Sequence, residues 1–105
     1  MQKGIVYNNG EIAGYIEKAA GKYRLRYEER YFSDSRKPAI SLTLPKEKQE
    51  YESDVLFAFF YGLLAEGVNK DVQCRLLKID EADDFTRLLK TSGENTIGAI
   101  AVKEA

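Results

Sequence analysis

Residues 53–67 read SDVLFAFFYGLLAEG, and the fold turns on how this stretch is covered. Leu56, Phe59, Phe60, Leu63 and Leu64 recur at i, i+3, i+4, i+7 and i+8, which puts them on one stripe of an α-helix. Val55, Phe57, Ala58 and Tyr61 make the other faces apolar too. The sequence therefore predicts a helix packed on more than one side, by a sheet and by neighbouring helices. Ser53 is the expected N-cap, because its hydroxyl accepts from early helical N–H groups. Gly67 is the expected stop, because glycine takes a left-handed closing conformation without steric cost.

Upstream of this stretch, Asn9-Gly10 separates two β-rich runs at 4–7 and 11–17. Such a dipeptide is the strongest short hairpin signal, since both central residues of the tight turn need positive φ. A third run, KYRLRYE at 22–28, alternates Tyr23, Leu25 and Tyr27 with Lys22, Arg24, Arg26 and Glu28, the period of a half-buried strand. ERYFSDSRK at 29–37 reads as a connection pinned by Tyr31 and Phe32. PAISLTL at 38–44 reads as a strand with Pro38 at its first position, where no ladder N–H is needed, and KEKQEYE at 46–52 as a solvated loop.

Downstream, a second helix is expected over about 69–78, with Val68, Val72, Leu76 and Ile79 on one side. A third is expected over 81–90, capped by Asp80 with Asp83 three residues on, and with Ala82, Phe85, Leu88 and Leu89 as its inner face. TIGAIAV at 96–102 is the last strand. The expected fold class is α+β, a small antiparallel or mixed sheet of about five strands with about three helices gathered on one side.

A chain of 105 residues is one domain by size, and at that size about 65% of the unfolded surface is buried on folding. Sixteen basic and seventeen acidic residues leave a formal charge of −1, which argues against direct nucleic-acid binding. Arg24, Arg26 and Arg30 with their interleaved tyrosines are interrupted by Glu28 and Glu29, and read as a solvated strand face. The longest apolar run is too short to span a bilayer, and the N-terminus carries no apolar targeting segment, so no membrane partner and a cytoplasmic location are expected. The lone Cys74 reads as a small buried hydrophobe. With no histidine, the chain lacks the commonest general base, nucleophile partner and metal ligand. Adjacent acidic pairs such as Asp83-Asp84 point in different directions, and no glycine-rich phosphate loop is present. The residues thus offer no catalytic, metal or cofactor site, and an enzyme is not expected.

Five segments, in order, carry a family resemblance. VYNNGEIAGYI at 6–16 resembles the V-x-x-N-G-x-x-x-G-x-L opening of the N-terminal subdomain of HipA-type serine/threonine kinases. KYRLRYEERYF is similar to its L-x-F-x-Y…W-L strand, PAISLTLP to its P-L-S-x-S-L-P, FAFFYGLLAEG to its F-F-x-N-L-L-P-E-G, and TIGAIAV to its G-A-V finish. These kinases are the toxin half of bacterial toxin–antitoxin modules, and the resemblance implies that ATP-binding and catalytic residues belong to a kinase core that follows this subdomain. In some operons the subdomain is a separate, HipS-like protein that binds and neutralises the truncated kinase, beside a helix-turn-helix DNA-binding protein.

By that resemblance the chain is expected to be a non-catalytic antitoxin whose partner is a HipA-type kinase core protein, with the helix-turn-helix protein as a further member of the complex. A Met1 directly before the first strand and an acidic C-terminus fit a free-standing subunit. The alternatives are an N-terminal structural module of an intact HipA-type kinase and, against the near-neutral charge, a DNA-binding regulator acting alone. The expected partner-binding residues are Glu66, Gly67, Val68 and Asn69, a surface turn between two helices that matches the family's glycine-containing turn. The family's L-L-P-E-G is Leu63-Leu64-Ala65-Glu66-Gly67 here, and Val68 stands where many relatives carry a larger residue.

Overall fold

The computed structural model describes residues 2–93 and 100–105. Asn9 and Gly10 take φ of 53° and 79°, the paired positive values that close a tight hairpin between β1 (Gln2–Asn8) and β2 (Glu11–Ala19). β3 (Lys22–Tyr27) completes the meander. The short helix α1 (Glu29–Ser33) and the edge strand β4 (Glu50–Ser53) follow. Three helices, α2 (Ala58–Tyr61), α3 (Gly67–Leu77) and α4 (Asp84–Thr91), lead to β5 (Ile100–Glu104). The sheet order is β4-β3-β2-β1-β5 and every pairing is antiparallel, so the class is α+β as the sequence implies.

Val6, Ile16, Leu25 and Val102 on one face of the sheet meet Phe60 and the α4 residues Phe85, Leu88 and Leu89 in a buried cluster. The opposite face carries a cross-strand row Lys3, Glu17, Arg24, Glu52. Arg24 donates to Glu17 at 3.4 Å and to Glu52 at 3.1 Å, so a neighbouring strand on each side supplies its counter-charge. Arg26 lies directly across from Glu50. That arrangement is the solvated face expected of KYRLRYE, with Arg24 paired to two carboxylates and Arg26 placed opposite one.

Gly14, part of the N-G-x-x-x-G-x-L signature, is required for space. A Cβ there would lie 2.5 Å from the Arg26 backbone oxygen, a neighbour that cannot swing aside. Gly14→Ala should cost about 1–3 kcal/mol as β2 and β3 are forced apart, read as a lower urea midpoint. An unchanged midpoint would show that the strands can separate freely.

The expected strand at 38–44 is not formed. In a strand Ile40, Leu42 and Leu44 would share a face, but Ile40 and Leu44 are buried while Leu42 is 98% exposed. The Leu44 N–H donates to the Ser41 carbonyl at 3.0 Å, and the segment is a turn. Two tyrosines hold it. The Tyr27 hydroxyl accepts from the Ile40 N–H at 3.0 Å and donates to the Leu44 carbonyl. The Tyr31 hydroxyl accepts from Asn8 Nδ2 at 2.8 Å and donates to the Pro38 carbonyl at 2.6 Å, with its ring stacked on that of Tyr27 at 6.2 Å. Tyr31 and Phe32 thus pin the connection as expected, and residues 29–33 form a helical turn, with the Glu28 carboxylate accepting from the Tyr31 N–H.

Burial pushes the Tyr27 phenol above its ordinary value of 10.0, so it stays protonated and can donate. Tyr27→Phe should cost about 1–3 kcal/mol, because it strands the Ile40 N–H and the Leu44 carbonyl in the interior. The wild-type protein should also lose stability as pH climbs past 10, where only the unfolded phenol ionises readily, and the variant should lose less over that range.

Residues 53–67 are divided differently from expectation. Ser53 pairs with Tyr23 as the end of β4 and does not cap a helix; its hydroxyl accepts from the Val55 N–H in a local turn. Pairing of 50–53 with β3 claims backbone that helix propensity alone would have wound up, and it replaces the solvated loop expected there. Helix α2 is a single turn from Ala58, and Gly67 opens α3 where it was expected to close the preceding helix. Leu56, Phe60 and Leu64 are buried and Phe59 and Leu63 pack against the cluster, as the stripe requires. Of the remaining faces, Phe57 also packs against the cluster, but Val55, Ala58 and Tyr61 are exposed, so the stretch is not covered on all sides. In α4 the N-cap is Asp83, which accepts from the Thr86 N–H at 3.1 Å, while Asp80 caps a turn one step earlier and Ala82 is exposed. Of the last strand, residues 96–99 lie outside the described residues.

Candidate partner-binding site

The segment between α2 and α3 winds down in tight steps: the Leu63 N–H donates to the Phe60 carbonyl and the Leu64 N–H to the Tyr61 carbonyl, both at 3.1 Å. Leu64 turns into the core and leaves the Ala65 carbonyl to be met from α4. Arg87 Nη2 donates to it at 2.6 Å, and Nη1 pairs with Asp84 at 3.2 Å. The turn is therefore held by an arginine that is only 2% exposed.

Glu66 is the N-cap of α3 in extended conformation, but its carboxylate makes no capping hydrogen bond. Gly67 follows with φ of 60°, and a Cβ there would meet nothing within 4 Å. Its need for glycine is thus one of backbone conformation alone. Val68 and Asn69 belong to the first turn of α3 and are exposed, so the four expected residues form a helix start and no longer a simple loop between helices.

Beyond them exposed apolar residues continue along α3. Val68, Val72 and Leu76 fall at i, i+4 and i+8 and are 75%, 46% and 75% exposed, with Leu77 half-exposed beside them. Cys74 alone is buried in this helix, and it lies two positions from Val72, on the opposite side of a 3.6-residue turn. The helix therefore rests on its Cys74 side and presents an apolar stripe outward, which is unlike a solvated helix. The spacing of Val68, Val72 and Leu76 was visible in the sequence, but spacing cannot say which side of a helix faces the core. Arg87 left no signal: it sits among the inner-face residues of α4, where an arginine is seldom fully buried.

Residues 4–103 match the HipA N-terminal domain family. The chain belongs to that family. A protein of undescribed function from Haemophilus influenzae is 32% identical over 104 residues, spanning 99% of this chain and 93% of that one. A solved structure titled as the N-terminal domain of HipA toxin is similar with a TM-score of 0.74 and 30% identity, over 100% of this chain and 93% of that chain. The Gly14 packing and the Gly67 conformation are thus the physical content of two glycines in the HipA N-terminal signature. Among the described residues no group of three or more His, Cys, Asp or Glu converges, and no helix is long and apolar enough to cross a membrane.

Proposed function

We propose that this HipA N-terminal domain is a non-catalytic, antitoxin-like cytoplasmic subunit that binds a separately encoded HipA-type kinase core and neutralises it. Glu66, Gly67, Val68 and Asn69 begin the contact surface, which continues over Val72 and Leu76. The observation that carries the reading is the outward apolar stripe on α3, running on from the family's glycine turn: Val68, Val72, Leu76 and Leu77 gather on this one helix, whereas the other exposed large hydrophobics, Ile12, Leu42, Val55 and Tyr61, lie outside it. A helix-turn-helix DNA-binding protein joins the same complex through the kinase, since the arginines of this chain's sheet face already have carboxylates across from them.

The test is calorimetric titration of the purified chain into the kinase core encoded beside it, with kinase activity followed in parallel. Saturable binding with loss of kinase activity is expected, and the chain alone should show no ATP turnover. Absence of binding would overturn the reading. A reading frame that continues into a kinase core would replace it with the second one, a structural module of an intact kinase.

A further inference from the structure

Helix α3 is fastened to the domain by very little. Cys74 is its one buried residue, Lys70 and Gln73 are half-buried, and the other eight residues from Gly67 to Leu77 lie on the surface. An isolated helix of this length is marginal in water, so packing must supply most of its stability. The shorter α4, by contrast, buries Phe85, Arg87, Leu88 and Leu89. Composition does not compensate: Val68, Asn69, Asp71, Val72 and Cys74 are all weak helix formers.

Three features raise the energy of the docked helix further. The N-cap, Glu66, makes no side-chain hydrogen bond to the first turn. The C-cap, Lys78, is held at φ 56° and ψ 46°, a left-handed conformation that is unfavourable for a residue with a Cβ. Gln73 Oε1 is buried without a hydrogen-bond partner among the described residues, and it would regain water if the helix lifted away.

The flanks are firm where the helix is not. Arg87 Nη2 holds the Ala65 carbonyl at 2.6 Å on one side, and Asp83 caps α4 through the Thr86 N–H at 3.1 Å on the other. Between these anchors the two residues with positive φ are Gly67 and Lys78, one at each end of α3. Gly67 has no atom within 4 Å of where a Cβ would be, so nothing packed there resists a change of backbone angle.

We propose that α3 opens as a unit between hinges at Gly67 and Lys78 while the sheet, α2 and α4 stay folded, at a free energy well below that of global unfolding. Elements with few buried contacts open in this way, and binding elements are drawn from that class. If the function proposed above holds, the kinase core takes its contact stripe from the least stable helix of the fold, and association holds α3 shut. The opening itself does not depend on that reading.

Cys74 is the chain's only cysteine and is buried in the docked helix, so its labelling by dithionitrobenzoate in native buffer reports the opening. Labelling of the free chain should run at least ~100-fold faster than global unfolding allows, with urea unfolding followed by circular dichroism as the reference. Its rate should hardly change with sub-denaturing urea, because opening exposes little surface. Lys78→Gly and Glu66→Ser relieve the two end defects at surface positions, and each should slow labelling about threefold. Added kinase core should suppress labelling, an arm that tests the link to the proposed function separately from the opening. Labelling of the free chain no faster than global unfolding, with the same steep urea dependence, would overturn the proposal. So would labelling as fast as in the fully unfolded chain, which would mean that α3 never docks, or unchanged rates in both variants.

Discussion

Phe60→Ala should lower the unfolding free energy by about 3–5 kcal/mol, a large share of the roughly 5–15 kcal/mol such a domain has in total. Phe60 is fully buried. Its ring meets Phe59 edge-on at 5.3 Å and Phe57 at 6.4 Å, so its loss removes both contacts along with the transfer free energy of the ring. Helix α2 is a single turn, with one buried residue to hold it and no side-chain cap. It cannot close over the vacated volume without giving up its place against α4. Urea denaturation followed by circular dichroism reads the effect, with Val55→Ala as a control that should stay within about 0.5 kcal/mol because Val55 is exposed. An unchanged midpoint for Phe60→Ala would place the ring outside the core.

The burial of the stripe Leu56, Phe59, Phe60, Leu63 and Leu64 was legible in the sequence; the exposure of Val55, Ala58 and Tyr61 and the backbone of the stretch were not. Leu56, Phe60 and Leu64 face inward whether the chain between them is helix or turn, because period and volume decide burial. Hydrogen bonding with β3 decides where the helix may begin. Residues 38–44 failed for a related reason. PAISLTL has strand composition, but its Ile40 and Leu44 are held by the hydroxyl of Tyr27, a contact thirteen to seventeen residues away that no local pattern contains. The meander was fully legible, since alternation and Asn-Gly are local signals. The candidate site was legible in part. The glycine turn announced itself through its family wording, whereas the outward orientation of α3 and the burial of Arg87 depend on how α3 and α4 settle on the sheet.

Val68→Asp and Leu76→Asp should each weaken association with the kinase core by more than tenfold, about 1.4 kcal/mol, because a carboxylate placed in an apolar contact must be desolvated without a partner. Their effects on folding should differ in sign. Val68 is in the first turn of α3, where a new negative charge is favourable to the helix dipole. Leu76 is in the last, where it is unfavourable, and each effect is about 0.3–1 kcal/mol. Both side chains are three-quarters exposed, so neither substitution opens a cavity. Binding loss through general destabilisation would therefore follow the melting temperature and appear only in Leu76→Asp. Loss through a shared contact stripe would appear in both, with Val68→Asp melting no lower than wild type. Calorimetric titration of the two variants against the kinase core, with melting temperatures measured alongside, separates the cases. Wild-type affinity in both would remove α3 from the interface, and a steep fall in the Val68→Asp melting temperature would place Val68 in the core after all.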